Sequence, residues 1–160
     1  MASEDHGREQ RQNASKAGAV RGMRMSDADD LFRLCHDLGY EPDRQGFLAR
    51  LEAVAHDINQ ALFVAVGEDD QVQGFVHVFG RHSIEIEPCA QIQALVVGAV
   101  ARRAGAGNVL TGAAEAWARA RGFGWVSLYC TTTRDAAHEF YRAAGYDLAV
   151  TASRFNKRLD

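Results

Sequence analysis

The residues with the most chemical promise are Arg102, Gly105 and Gly107, which follow an apolar run ending in Leu95, Val96 and Val97. Residues 90–107, AQIQALVVGAVARRAGAG, read as a strand, a short arch and a glycine-bearing turn that opens a helix. The first N–H groups of a helix have no internal partners and carry the positive end of its macrodipole. Glycines let an anion approach where a Cβ would collide. Arg102 and Arg103 add two cationic forks suited to phosphate oxygens. Together these features predict a site for a pyrophosphate-bearing ligand. A Walker loop is excluded, because Asn108 and Val109 follow Gly107 where Lys and Ser or Thr are needed. A dinucleotide fingerprint fails too, because Leu110 stands in the place of its third glycine.

The rest of the chain must position that loop. It has 160 residues, enough for one domain with a real core. A net charge of −3 gives no support to a surface for nucleic acid or anionic membrane, both of which call for basic patches. The three cysteines, Cys35, Cys89 and Cys130, show no metal-ligand spacing and read as free thiols in a reducing cytoplasm. No apolar run approaches the ~18 residues of a membrane helix. The N-terminus lacks the apolar core of a signal peptide. Residues 1–19 are polar and too poor in apolar surface to offset ordering entropy, so they are expected to be disordered, with the folded domain at 20–160.

Along that domain, 20–25 reads as a strand. Ser26, with Asp29 three residues on, resembles a helix cap. Leu31, Phe32, Leu34, Cys35 and Leu38 form a helical stripe closed by Gly39. A second helix is expected over 43–55. Two strands, 61–66 and 72–79, make a hairpin, and Gly74 marks a bulge. The alternation of Ile84 and Ile86 with Glu85 and Glu87 favours an edge extension over 81–88. After the central strand and loop, a helix over 108–121 buries Leu110, Ala113, Ala114, Trp117 and Ala120. A strand over 125–130, a helix over 135–144 capped by Gly145, and a closing hairpin of 146–150 with 154–159 complete the order. This is α+β with a mixed sheet.

The second half resembles the GNAT family of N-acetyltransferases over nearly its whole length. The run 90–97 is similar to the family's central strand, and Arg102-x-x-Gly105-x-Gly107 falls at the expected distance behind it. Ala114-Glu115-x-Trp117-Ala118 with Gly122 resembles the next helix. Arg134-x-x-Ala137-His138-x-Phe140-Tyr141, then Gly145-Tyr146, resembles the last one. The first half agrees through Leu38-Gly39-Tyr40 and Gly74-Phe75-Val76. The chain departs from the family pattern at Arg103, where glycine is common, at Ala106, where a larger residue is common, and at Ala99 and Arg134.

The resemblance implies a single α+β domain with a mixed, mostly antiparallel sheet flanked by helices and a splayed central strand. It implies acetyl-CoA as co-substrate. The implied cofactor-binding residues are Leu95, Val96 and Val97 on the strand, then Arg102, Arg103, Ala104, Gly105, Ala106, Gly107 and Asn108 in the loop. Arg134, Ala137 and Tyr141 join them from the last helix. Free backbone groups near Leu95 and Val97 would pair with the pantetheine arm, and the N–H of Val96 or a neighbour would polarise the thioester carbonyl. Tyr141, a phenol protonated at neutral pH, is the expected general acid for the leaving thiolate. The base is sought among Glu85, Glu87 and His77, with Glu87 named beside Tyr141 as catalytic. Gln91 and Gln93 stand where a family glutamate is often found. Loss of the proton to water through a short wire is an equal route. His138, three residues before Tyr141, is expected to pack or hydrogen-bond.

The expected activity is direct acetyl transfer to a primary amine of a small molecule in a ternary complex. The resemblance points to subgroups acting on small amines such as aminoalkylphosphonates or aminoglycosides. The competing readings are a non-catalytic acetyl-CoA-binding regulatory module, motivated by Gln91 and Gln93, and a protein-interaction domain. No metal, nucleic acid or membrane partner is expected. A homodimer through a sheet edge is compatible with the pattern.

Overall fold

The computed structural model describes residues 18–159. The expectation for the first residues therefore falls, through residue 17, outside the described chain. Contacts divide the chain into two compact units, one ending at Leu128 and one beginning at Tyr129.

The first unit is built on a five-stranded sheet of order β1-β2-β3-β4-β5. The strands are β1 (Val20–Gly22), β2 (Gln60–Val66), β3 (Val72–Arg81), β4 (Cys89–Val97) and β5 (Val126–Leu128). All neighbours are antiparallel except β4 and β5, which run parallel across the helix that joins them. The mixed, mostly antiparallel sheet is the one expected. Helices α1 (Ala28–Asp37) and α2 (Arg44–His56) precede β2, and α3 (Ala106–Ala120) connects β4 to β5.

Each face of the sheet has its own core. Leu110, Ala114 and Ala118 of α3 pack with Ala65, Val76, Val78, Ala90 and Ile92. Leu31 and Leu34 of α1 and Leu51 of α2 pack with Val64, Phe75 and Val96 on the other face. The α3 stripe differs from expectation at its ends. Ala120 is exposed, while Thr111 and Ala118 are buried, because the inward face runs through Ala106, Leu110, Thr111, Ala114 and Ala118 at helical spacing. Thr111 is satisfied in place, its hydroxyl donating to the carbonyls of Gly107 and Asn108 at 3.0 Å.

The helix caps also differ in part. Asp43 caps α2, accepting from the Gly46 N–H at 2.6 Å. The expected Ser26–Asp29 box at α1 is not found: α1 has no side-chain cap, and the buried Asp27 instead closes the 3-10 turn Met25–Asp27 that precedes it. Its carboxylate accepts the Arg24 N–H at 2.7 Å and both terminal nitrogens of Arg21 at 2.8 and 2.9 Å. Arg21 also donates to Asp70 at 2.9 Å, which ties β1 to the turn between β2 and β3. The Arg21 guanidinium holds the Asp27 carboxyl below the usual carboxylate range, against the opposing pull of burial.

Residues 82–88 form a loop rather than an edge extension, and Ile84 and Ile86 are exposed. Alternating apolar residues favour a strand only where an edge is available to pair with, and β3 and β4 already pair with each other here.

The second unit contains α4 (Asp135–Ala143), closed by Gly145 at φ +89°. The closing hairpin is not found. Residues 146–159 contain no strand, and Leu148, Val150, Phe155 and Leu159 are exposed. A two-residue period specifies faces but not a pairing partner, so the pattern alone could not secure the hairpin.

Candidate active site

Strand β4 is irregular where the chemistry is expected. Its register with β3 slips between His77 and Val78, so that His77 faces Ala94 and Val78 faces Ile92. Gln93 is the extra residue, a β-bulge, and it is exposed. The bulge reverses which side chains reach the α3 core. Before it these are Ala90 and Ile92, and after it Leu95 and Val97. A second slip, at Gln73 of β3, sits beside Gly74, where a bulge was expected.

The other edge of β4 opens at the same level. Strand β5 pairs with β4 only at Ala90, Gln91 and Ile92, and the Ala90 N–H donates to the Trp125 carbonyl at 3.1 Å. From Gln93 onward this edge has no strand partner within the unit. Ladder alternation then settles the direction of each backbone group. The Gly98 N–H donates to the Gln73 carbonyl at 2.8 Å, so Val96 and Ala94 also face β3. Leu95 and Val97 face the open edge. The Val96 N–H, one of the groups anticipated to face the thioester, is turned into the sheet, whereas those of Leu95 and Val97 face the open edge.

The loop continues this open edge. A 3-10 turn over Ala99–Ala101 leads into Arg102, whose Nε donates to the Val97 carbonyl at 3.2 Å. Arg103 adopts φ +66°, a left-handed conformation uncommon outside glycine, at the position the family often fills with glycine. Gly105 follows at φ +86° as the N-cap of α3, with no side-chain cap. The first helical bond runs from the Val109 N–H to the Gly105 carbonyl. Among the described residues, the N–H groups of Gly105, Ala106, Gly107 and Asn108 have no backbone partner. Ala104 is tied down by a bond from its N–H to the Ala101 carbonyl at 3.3 Å, and the Ala106 methyl, at the start of α3, is buried in the core between α3 and the sheet. The result is a row of unspent donors with two exposed guanidinium groups beside it. These residues fit a pyrophosphate followed by an amide-bearing arm, the chemical outline of coenzyme A.

On the face covered by α1 and α2, His77 of β3 is half-buried, and its Nε2 lies 2.7 Å from Gln60 Oε1. Burial pushes its imidazole below the ordinary histidine range. Gln91 is buried in β4. Glu85 and Glu87 lie exposed on the 82–88 loop, and a hydrogen bond from Ser83 holds the Glu85 carboxyl below its ordinary range.

In the second unit, Tyr141 of α4 is half-buried, with the rings of Phe140 and Tyr146 at 5.2 and 5.9 Å in edge-on geometry. Burial pushes its phenol above the ordinary value near 10, Cys130 adds to the rise, and Arg134 opposes it. His138 donates from Nε2 to the Thr131 carbonyl at 2.9 Å and so steadies the start of the helix. Arg134 is the exposed N-cap, and Ala137 is half-buried one turn before Tyr141.

Two features were not located in the sequence: the position, at Gln93, of the bulge that the resemblance implies in the central strand, and the contact of His77 with Gln60. The signal for the first is the change from strict alternation over 90–93 to the unbroken apolar run 94–97. The second joins residues 17 positions apart and has no local signal.

Known proteins match this arrangement at three levels. The chain matches the model of the acetyltransferase (GNAT) family over residues 26–146, a span that includes parts of both units. It is 34% identical over 110 residues to the uncharacterized N-acetyltransferase YhdJ of Bacillus subtilis (strain 168), covering 69% of this chain and 77% of that protein. In fold it resembles the aminoglycoside 6'-N-acetyltransferase AAC(6')-IG of Acinetobacter haemolyticus, with a TM-score of 0.77 at 17% identity over 89% of this chain and 99% of that one. It also resembles the aminoglycoside N-acetyltransferase AAC(6')-Iy, solved in complex with CoA, with a TM-score of 0.80 at 18% identity over 88% and 95% of the two chains. The chain belongs to the acetyltransferase (GNAT) family and is an N-acetyltransferase whose acyl donor is acetyl-CoA.

Proposed function

We propose that this protein transfers the acetyl group directly, within a ternary complex, to the primary amine of a small molecule. The observation that carries this reading is the coincidence of three features: the bulge at Gln93, the unpaired edge of β4 beyond it, and the unspent N–H groups at the start of α3. The fold shared with enzymes that acetylate aminoglycosides supports a small polyamine-like acceptor. The acidic residues Glu85 and Glu87 on an exposed loop support a cationic one.

Bound acetyl-CoA supplies the thioester carbonyl. Arg102, Arg103 and the N–H groups of Gly105 to Asn108 hold the pyrophosphate, and the open edge at Leu95 and Val97 holds the arm. One of those two N–H groups polarises the carbonyl. Arg134 and Ala137 contribute to cofactor binding from α4. Tyr141 supplies the proton to the leaving sulfur, and its raised pKa keeps it protonated at neutral pH. Glu87, with Glu85, draws in the ammonium form of the acceptor and takes its first proton out to solvent. The three free thiols suit a reducing cytoplasm.

The test is thiol release from acetyl-CoA across a panel of amines, wild type against Tyr141→Phe. Amine-dependent release that falls 10²-fold or more in the variant, the range for a lost general acid or base, is the expected result. Undiminished release in Tyr141→Phe removes Tyr141 as the acid. Release with no amine in the panel removes the transfer reading.

A further inference from the structure

We infer that His77 takes the proton from the attacking nitrogen, held in the competent tautomer by Gln60 and Asp57. The inference deepens the transfer reading above and rests on it. Asp57 Oδ2 accepts from Gln60 Nε2 at 2.6 Å, and a carboxylate can only accept, so the nitrogen of the Gln60 amide must face it. The Gln60 oxygen therefore faces His77, and at 2.7 Å it can only accept the Nε2 proton. The imidazole is left with its lone pair on Nδ1. This is the logic by which a second group fixes the tautomer of a catalytic histidine.

The placement of His77 suits the task. It is paired with Ala94, the residue between the bulge and Leu95. His77 and Ala94 share the face covered by α1 and α2, where Ala94 offers only a methyl group. Strands lie about 4.8 Å apart, so the line along which the arm of the donor would follow β4 runs about 10 Å from β3. An acceptor nitrogen lying over Ala94 falls between the two. Gln91 and Gln93 cannot take a proton at neutral pH, so His77 is the titratable side chain that β3 and β4 bring to this point.

The imidazole is available as a base. Burial alone lowers its pKa, with no contribution from a charged group on α1, α2, β2 or β4, and Asp57 reaches it only through Gln60. It is neutral at pH 7. In the step itself, the amine's lone pair forms the N–C bond and one N–H proton passes to Nδ1. The C–S bond breaks with its pair on sulfur, and the sulfur takes the proton of the acid assigned to Tyr141. His77 then returns its proton to solvent and Tyr141 regains one, so the protein ends unchanged.

Three measurements test this. In wild type, nitrogen-15 NMR of the imidazole should report the Nε2–H tautomer, and an Nδ1–H tautomer overturns the proposal without any reference to turnover. His77→Gln should lose at least 10²-fold in kcat with the KM for acetyl-CoA unchanged, and the acid limb of its kcat/KM profile should disappear. Gln60→Glu places a carboxylate against Nε2–H, which raises the imidazole pKa and should move that limb to higher pH. A His77→Gln enzyme within threefold of wild type, or a limb unmoved in Gln60→Glu, overturns the role of His77 while leaving the transfer reading intact. A wild type that releases no thiol with any amine sinks both.

Discussion

Two glycine-to-alanine changes, chemically identical, should act in opposite directions. A Cβ on Gly74 of β3 would lie 2.6 Å from the Val96 carbonyl oxygen, 3.2 Å from the Val97 Cα and 3.2 Å from a Leu110 methyl. Two of those atoms are backbone, so relief requires β4 to move at the residues assigned to the cofactor arm. Overpacking of this kind costs about 1–3 kcal/mol, and the lower chain entropy of alanine returns about 0.4–1 kcal/mol. The net loss is about 1–2 kcal/mol. At roughly 2–4 °C per kcal/mol for a chain of this size, Gly74→Ala should lower Tm by about 3–6 °C. Gly112 lies within α3, is exposed, and would meet nothing within 4 Å. Its replacement by alanine should gain about 0.5–1 kcal/mol and raise Tm by about 2 °C. Thermal unfolding with and without CoA, together with the KM for acetyl-CoA, reads both effects. Gly74→Ala should bind acetyl-CoA more weakly, whereas Gly112→Ala should bind it as wild type does. Shifts of the same sign in the two variants, or an unaltered KM in Gly74→Ala, would refute the close approach of β4 to Gly74 as a support of the site.

Two more predictions concern the frame and the loop. Asp27→Ala leaves Asp70 as the carboxylate partner of Arg21 among the described residues and should cost on the order of 3 kcal/mol at neutral pH. Because the folded pKa of Asp27 is depressed, its contribution is complete above the unfolded value near ~4 and fades as the pH falls through the folded value. The Tm gap between wild type and variant should therefore be widest near pH 7 and close on acidification, and a gap independent of pH would contradict the ion pair. Arg103→Gly removes a left-handed residue costing about 1–2 kcal/mol and adds a glycine costing about 0.5–1 kcal/mol, so stability should hold or rise slightly. Losing one charge-assisted contact of about 1.5 kcal/mol should weaken CoA about tenfold by calorimetric titration, and unchanged affinity would mean that the guanidinium does not meet phosphate.

What could be read from the sequence follows a physical divide between local and paired structure. The helices announced themselves because the signals that make them lie within a turn, in the stripe through Leu31 and Leu34 and in Gly39, Gly122 and Gly145, which close three of the four runs. The loop was legible for the same reason, since Arg102, Gly105 and Gly107 act through backbone geometry that neighbours in sequence determine. The failures depend on a partner in another element. The 82–88 and 146–159 segments carry strand-like alternation without a paired edge. The Ser26–Asp29 box gives way to the carboxylate of Asp27, which takes the Arg24 N–H of the turn before α1 and is held there by Arg21 of β1. The bulge is the most instructive case. Strict alternation from Ala90 through Ile92 would carry Ala94 into the α3 core, yet the chain inserts Gln93 and delivers Leu95 and Val97 there instead. A large side chain at 94 would have declared its face, whereas alanine suits either one and conceals the slip. In the folded chain the same small residue stands between the open edge of β4 and His77, so the substitution that would have made the bulge easy to read would also fill the space assigned to the acceptor amine.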